Sequence, residues 1–126
     1  MSDPVFMSAE HVDVMNQRLA ASSELAGVAA TLPRAYEVAY RLADHDRTEF
    51  WLMTLGPEGV QFALEPSDTA DLTFIGDYWR MISASQNQGE DPGLETLGDL
   101  GVLESIGEVF ATAQAVGRVP VTWPVP

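Results

Sequence analysis

Residues 35–66, AYEVAYRLADHDRTEFWLMTLGPEGVQFALEP, decide the fold. From Ala35 the apolar positions recur at every second residue, with Tyr36, Val38, Tyr40 and Leu42 on one face and Glu37, Ala39 and Arg41 on the other. Side chains alternate across a strand, so this is a strand with one face in the core. The loop ADHDRT follows, then EFWLMTL, which is apolar on both faces as a central strand covered on two sides would be. Gly-Pro-Glu-Gly then turns the chain into VQFALEP, where Val60, Phe62 and Leu64 alternate with Gln61, Ala63 and Glu65. Short polar loops between such runs predict an antiparallel meander.

Outward from the meander the period changes. Downstream, ADLTFIG gives a fourth strand, and Asp77 reads as the N-cap of a helix DYWRMISASQ striped by Tyr78, Met81, Ile82 and Ser85. NQGEDPG breaks regular structure, and residues 98–104 read either as a short fifth strand or as a glycine-weakened helix. Ile106, Val109, Phe110 and Ala113 are spaced i, i+3, i+4, i+7, which predicts a helix over 105–116 with Gly117 as its C-cap. Glu104 and Glu108, four apart, would repel on one helix face and favour a break near Ser105. Residues 118–126, RVPVTWPVP, read as an extended proline-rich tail. Upstream, Ser8 caps a helix carrying Val12, Met15 and Leu19, with Glu10 and Asp13 in its first turn; the serine pair at 22–23 and Gly27 allow a break before Pro33 ends it.

Composition bounds what such a fold can do. With 126 residues one core is normal, and a single domain over 1–126 is expected. The net charge is −13, and all six basic residues are arginine. Nucleic acid is an improbable partner, since binding it needs a positive surface, and an anionic membrane would be repelled as well. Absence of lysine removes Schiff-base chemistry; absence of cysteine removes disulfides, thiolate nucleophiles and sulfur-ligated metals, and fits a reducing compartment. MSDPVFMS has neither a basic nor an apolar signal region, so the cytoplasm is the expected location. No hydrolase elbow, dinucleotide fingerprint, P-loop or zinc-protease motif occurs, and neither a cofactor nor a metal is expected.

The order helix, three antiparallel strands, strand, helix, glycine-bounded strand, helix resembles the sterol-carrier-protein family of the non-specific lipid-transfer type. FMSAEHVDVMNQRLAASSEL resembles the opening helix of small bacterial stand-alone members. ADLTFIGDYWRMISASQNQGEDP resembles the family's strand, helix, glycine, proline passage, with its Gly-x-x-Pro turn at Gly89 to Pro92, and LGDLGVLESIGEVFATAQA stands where the family has a glycine-led strand and closing helix. Two features depart from the pattern: Asp99 and Glu104 make the last strand region acidic where the family's is basic, and the chain ends in TWPVP. The resemblance implies an α+β fold with a curved, five-stranded, mostly antiparallel sheet covered by helices, and an apolar tunnel between the layers for a sterol-like, fatty acyl or similar molecule.

Large adaptable side chains suited to lining such a space are Trp51, Met53, Phe62, Phe74, Tyr78, Trp79, Met81, Ile82, Val109 and Phe110, although residues at these spacings ordinarily form plain core. Tyr36 and Tyr40 could also direct hydroxyls into a cavity. Asp44, His45 and Asp46 form the one dense titratable cluster, a candidate base or metal site whose place in a strand loop favours a solvated turn. His11, beside Asp13, reads as a capping or surface residue. Asp77 and Tyr78 put a carboxylate beside a phenol, as in proton-transfer isomerases, although Asp77 has the simpler role of capping a helix.

Three functions follow. The first is a binding protein for an apolar small molecule. The second is a cofactor-free isomerase, cyclase or hydratase of a hydrophobic metabolite on the same scaffold, drawing on Asp77, Tyr78 or His45. The third is an interaction domain whose apolar groove and proline-rich tail dock another protein or, as a homodimer, a second copy of the chain.

Overall fold

In the computed structural model, which describes residues 3–87 and 89–126, the meander forms the middle of an open five-stranded sheet. In chain order the elements are α1 (Ala9–Ala21), α2 (Ser23–Ala29), β1 (Tyr36–Asp44), β2 (Arg47–Gly56), β3 (Gly59–Ala63), β4 (Leu72–Asp77), α3 (Tyr78–Gln86), β5 (Glu95–Gly98) and α4 (Val102–Gly117). The sheet order is β3-β2-β1-β4-β5, with β4 parallel to β1 and the other pairs antiparallel.

Register places the core on one face. Tyr36, Val38 and Tyr40 of β1 lie opposite Leu55, Met53 and Trp51 of β2, and Met53 and Leu55 lie opposite Phe62 and Val60 of β3. Onto this face pack Leu19 of α1, Leu25 and Ala29 of α2, and Val102, Ile106, Val109 and Ala113 of α4. Ile82 of α3 joins Leu42 and Trp51 in a second cluster on the same face. The other side of β2 is covered differently from the expectation. Residues 64–71 return across the sheet from β3 to β4, and Ser67 and Thr69 donate to the carboxylate of Glu37, which points away from the helices.

Local chemistry sets the element ends. Ser8 Oγ accepts from the His11 amide at the start of α1; Ser22 ends α1 and caps α2 by accepting from the Leu25 amide, so the break falls at the serine pair. The loop ADHDRT is shorter than expected, because pairing continues to Asp44 and resumes at Arg47, leaving only His45 and Asp46 in the turn, with His45 at φ 54°. β3 stops at Ala63, short of Pro66, as the chain leaves to cross the sheet. Of NQGEDPG, Gln88 lies outside the described residues.

Residues 98–104 are neither of the expected alternatives. The strand is the preceding Glu95–Gly98, and the helix begins at Val102. Between them Gly98 adopts φ 110°, and a Cβ there would run into the Asp71 carbonyl oxygen, so only glycine brings β5 this close to the start of β4. The Asp99 carboxylate then accepts from the Gly101 amide at 2.8 Å. α4 passes through Glu104 and Glu108 without a break, since both are exposed and water screens their repulsion.

Candidate functional site

Between the sheet and the helices lies a cavity of about 330 Å³; the full apolar tunnel that the resemblance implies is not seen. Its floor is the sheet, through Tyr40, Trp51, Met53 and Phe62. α1 contributes His11 and Met15, α3 contributes Met81 and Ser85, and α4 contributes Phe110, Ala113 and Gln114. Both ends of the chain complete the wall: Phe6 and Met7 precede α1, and Val119, Val121 and Trp123 follow α4. A parallel bridge between Val5 and Thr122 holds these ends together, with the Phe6 amide donating to the Thr122 carbonyl at 2.9 Å.

The aromatic packing is continuous. Phe6 lies 4.6 Å from Trp123 and meets Trp51 edge-on at 5.8 Å, centroid to centroid. Trp51 is 5.7 Å from Tyr40, which stacks on Phe74 at 5.1 Å. Such rings give a stiff apolar wall at little entropic cost. Phe62 is aimed by Asn16 of α1, whose side chain donates to the Phe62 carbonyl at 2.9 Å and accepts from its amide at 2.8 Å. These two bonds satisfy both backbone groups of Phe62 on the outer edge of β3.

Of the ten residues expected to line the space, Trp51, Met53, Phe62, Met81 and Phe110 do so. Phe74 stacks beside Tyr40 from the neighbouring strand and Tyr78 meets Trp51 edge-on, so both touch wall residues without lining the cavity. Ile82 and Val109 are sealed in the two core clusters. Trp79 is also turned away: its indole N–H donates to Asp44 at 2.9 Å, tying α3 to the β1–β2 hairpin. Tyr36 lies in the core with the Arg34 guanidinium 4.0 Å above its ring.

Of the two roles expected for His11, capping is seen and surface exposure is not: its amide donates to Ser8 Oγ and its ring accepts from the chain just before α1. It is 4% exposed, lines the cavity, and its Nδ1 accepts from the Met7 amide at 2.9 Å. The helical spacing of His11 with Met15 was a usable signal, since both fall on the face that carries Leu19. Phe6, Met7 and Trp123 gave no periodic signal, lying outside regular elements.

The titratable candidates are engaged elsewhere. Asp77 is exposed and accepts from the Arg80 amide at 2.9 Å, capping α3. Tyr78 packs edge-on against Trp51 and Trp79, and burial, then Glu49 and Asp44, push its hydroxyl up. In the Asp44-His45-Asp46 cluster Asp44 is buried and spent on Trp79 and Arg47, whereas the His45 side chain is 83% exposed. Among the described residues no group of three or more His, Asp or Glu could hold a metal ion, and no helix is long and apolar enough to cross a membrane.

Inside the cavity burial lowers the His11 pKa and raises that of Tyr40, so both rings are uncharged at neutral pH. The cation on the wall, Arg118, is exposed. A second cleft, of about 860 Å³, lies between α1, α2 and the β2–β3 turn. Asp13, Asn16, Gln17, Arg34, Glu58 and Gln61 share its wall, and an apolar guest would strip water from them. The smaller, aromatic cavity is therefore the candidate site.

No family model and no curated protein matches the chain. Solved structures do. A conserved hypothetical protein from Thermus thermophilus, described as a candidate sterol carrier protein, aligns with a TM-score of 0.60 at 16% identity over 98% of this chain and 97% of that one. Sterol carrier protein 2 aligns with a TM-score of 0.59 at 14% identity, over 90% of this chain and 97% of the other. A UbiJ-SCP2 ubiquinone synthesis protein aligns with a TM-score of 0.47 at 19% identity, covering 85% and 90%.

Proposed function

We propose that this chain, which has the fold of sterol carrier protein 2, binds an apolar small molecule in the aromatic cavity between its sheet and helices. The observation that carries the proposal is the composition of that wall: strand and chain-end residues Phe6, Met7, Tyr40, Trp51, Met53 and Trp123 face one space. Burial there stabilises a bound apolar surface by roughly 25 cal/mol per Å² before the costs of association.

The volume narrows the ligand. At about 330 Å³ the cavity suits a medium acyl chain or a one- or two-ring compound, and a longer ligand would extend through its open side. The cysteine-free composition supports a reducing, cytoplasmic setting, and the −13 charge argues against nucleic acid or a lasting hold on anionic membranes. The enzymatic alternative draws no support from Asp77, whose carboxylate is committed to capping α3.

Native mass spectrometry of the protein purified from its own host, together with titration by a fluorescent fatty acid of medium length, tests the proposal. A co-purifying apolar molecule or saturable one-to-one uptake is expected. An empty protein that takes up no probe overturns it.

A further inference from the structure

The cavity wall is mostly apolar, yet one buried ring on it has an N–H without a protein partner among the described residues. His11 is 4% exposed, and its Nδ1 is occupied by the Met7 amide. A neutral imidazole that accepts at Nδ1 carries its proton on Nε2. No hydrogen bond from Nε2 is formed among the described residues. Nor is any side-chain nitrogen or oxygen among them both sealed from solvent and unpaired, so Nε2 is open toward the space that the ring lines.

The backbone around it is held in a costly form. Met7 has φ 55°, in the left-handed region that a non-glycine residue rarely adopts. That conformation directs the Met7 amide at His11 Nδ1, fixing the tautomer, while Met7 itself joins the cavity wall. Phe6, 5.6 Å away, packs against the imidazole. The donor is thus prepared before any ligand arrives.

Resting on the proposed binding function, we infer that His11 Nε2–H is the group that orients the ligand, and that the cavity selects an apolar molecule bearing one uncharged carbonyl or ether oxygen over a plain hydrocarbon. No buried charge waits for an anion: the imidazole is neutral at pH 7, and among the described residues the one cation on the wall, Arg118, is exposed at the rim. Tyr40 also reaches the cavity, and its phenol is a second donor, so the two groups are told apart by substituting each in turn.

Two probes of nearly the same shape test the inference on the full chain: 2-acetylnaphthalene, with a C=O group, and 2-isopropenylnaphthalene, with C=CH₂ in its place. Binding is read from tryptophan fluorescence. The ketone is expected to bind about fivefold more tightly, the worth of one net hydrogen bond. The preference should disappear in His11→Phe and persist in Tyr40→Phe. Because His11→Phe leaves the Met7 amide without its acceptor, the unmodified protein is also followed by nitrogen-15 NMR, where the His11 Nε2 signal should move with the ketone and stay in place with the alkene. Equal affinities in the unmodified protein, a preference kept in His11→Phe or lost in Tyr40→Phe, or an unmoved Nε2 signal overturns the inference while leaving the cavity a binding site. If neither probe binds and the fluorescent fatty acid is also refused, the binding function itself falls, and the inference with it.

Discussion

Single residues carry more than their positions announce. His11 has its pKa lowered by burial from an ordinary 6.5, so the unfolded chain takes up a proton at a pH where the folded one does not. Its contribution to stability is intact above pH 6.5, falls as the pH drops from there toward the folded value, and then levels off. Urea titrations at pH 7 and at about pH 5.5 should show the unmodified protein losing stability and His11→Gln losing less. Asp71 acts in a separate window. Burial pushes its carboxyl up, but hydrogen bonds from Arg34 and from the Glu37 amide outweigh burial and hold it below the usual 3.8. Its stabilisation is present above pH 3.8 and is lost as the pH falls further, through the folded value. Gly98 makes a purely steric case. Gly98→Ala forces a Cβ onto the Asp71 carbonyl at φ 110°, and a loss of about 2 kcal/mol is expected in urea unfolding.

At the scale of elements, pairs of segments far apart in sequence do the positioning. Asn16 of α1 closes the outer edge of β3 by bonding both backbone groups of Phe62, and so presents the Phe62 ring to the cavity. Asn16→Ala leaves both groups to solvent and frees the strand edge. A loss of about 1–3 kcal/mol is expected by urea unfolding, with weaker probe binding as Phe62 loses its aim. Helix positions and strand alternation were legible because each element buries one face and the chain must repeat apolar residues at that element's own period. Asp77 and Ser8 were legible as caps for a similarly local reason. The passage from Gly98 to Val102 was not, because its course depends on how closely β5 approaches Asp71, which no local pattern encodes.

Across the whole molecule, the segments before α1 and after α4 are joined into one wall. The tail packs against Phe6 and supplies Val119, Val121 and Trp123 to the cavity, so this segment makes an internal contact. Removing residues 119–126 should leave the circular dichroism spectrum of the sheet and helices nearly unchanged, because the larger core cluster contains no tail residue. Uptake of a fluorescent fatty acid should fall by at least tenfold, as loss of the Trp123 face removes on the order of 1.5–3 kcal/mol of apolar contact. The charge of −13 also acts globally. Self-repulsion burdens the compact state, so raising salt from about 0.02 to 0.5 M should raise the melting temperature, the reverse of what a fold held by surface ion pairs would show.

The amino-acid sequence by itself determined the strands of the meander, the helices beside them, the acidity that disfavours polyanions, and half of the residues that were expected to line the cavity. Those are local or additive properties, readable from period, capping and composition. Only the tertiary structure decided which aromatic groups face empty space and which apolar ones are sealed as core: Trp51 and Phe110 line the cavity, while Val109 and Ile82, in the same patterns, do not. It also decided that Phe6, His11 and Trp123 meet there, since an apolar pattern states that a side chain leaves water but not what it will touch when it does.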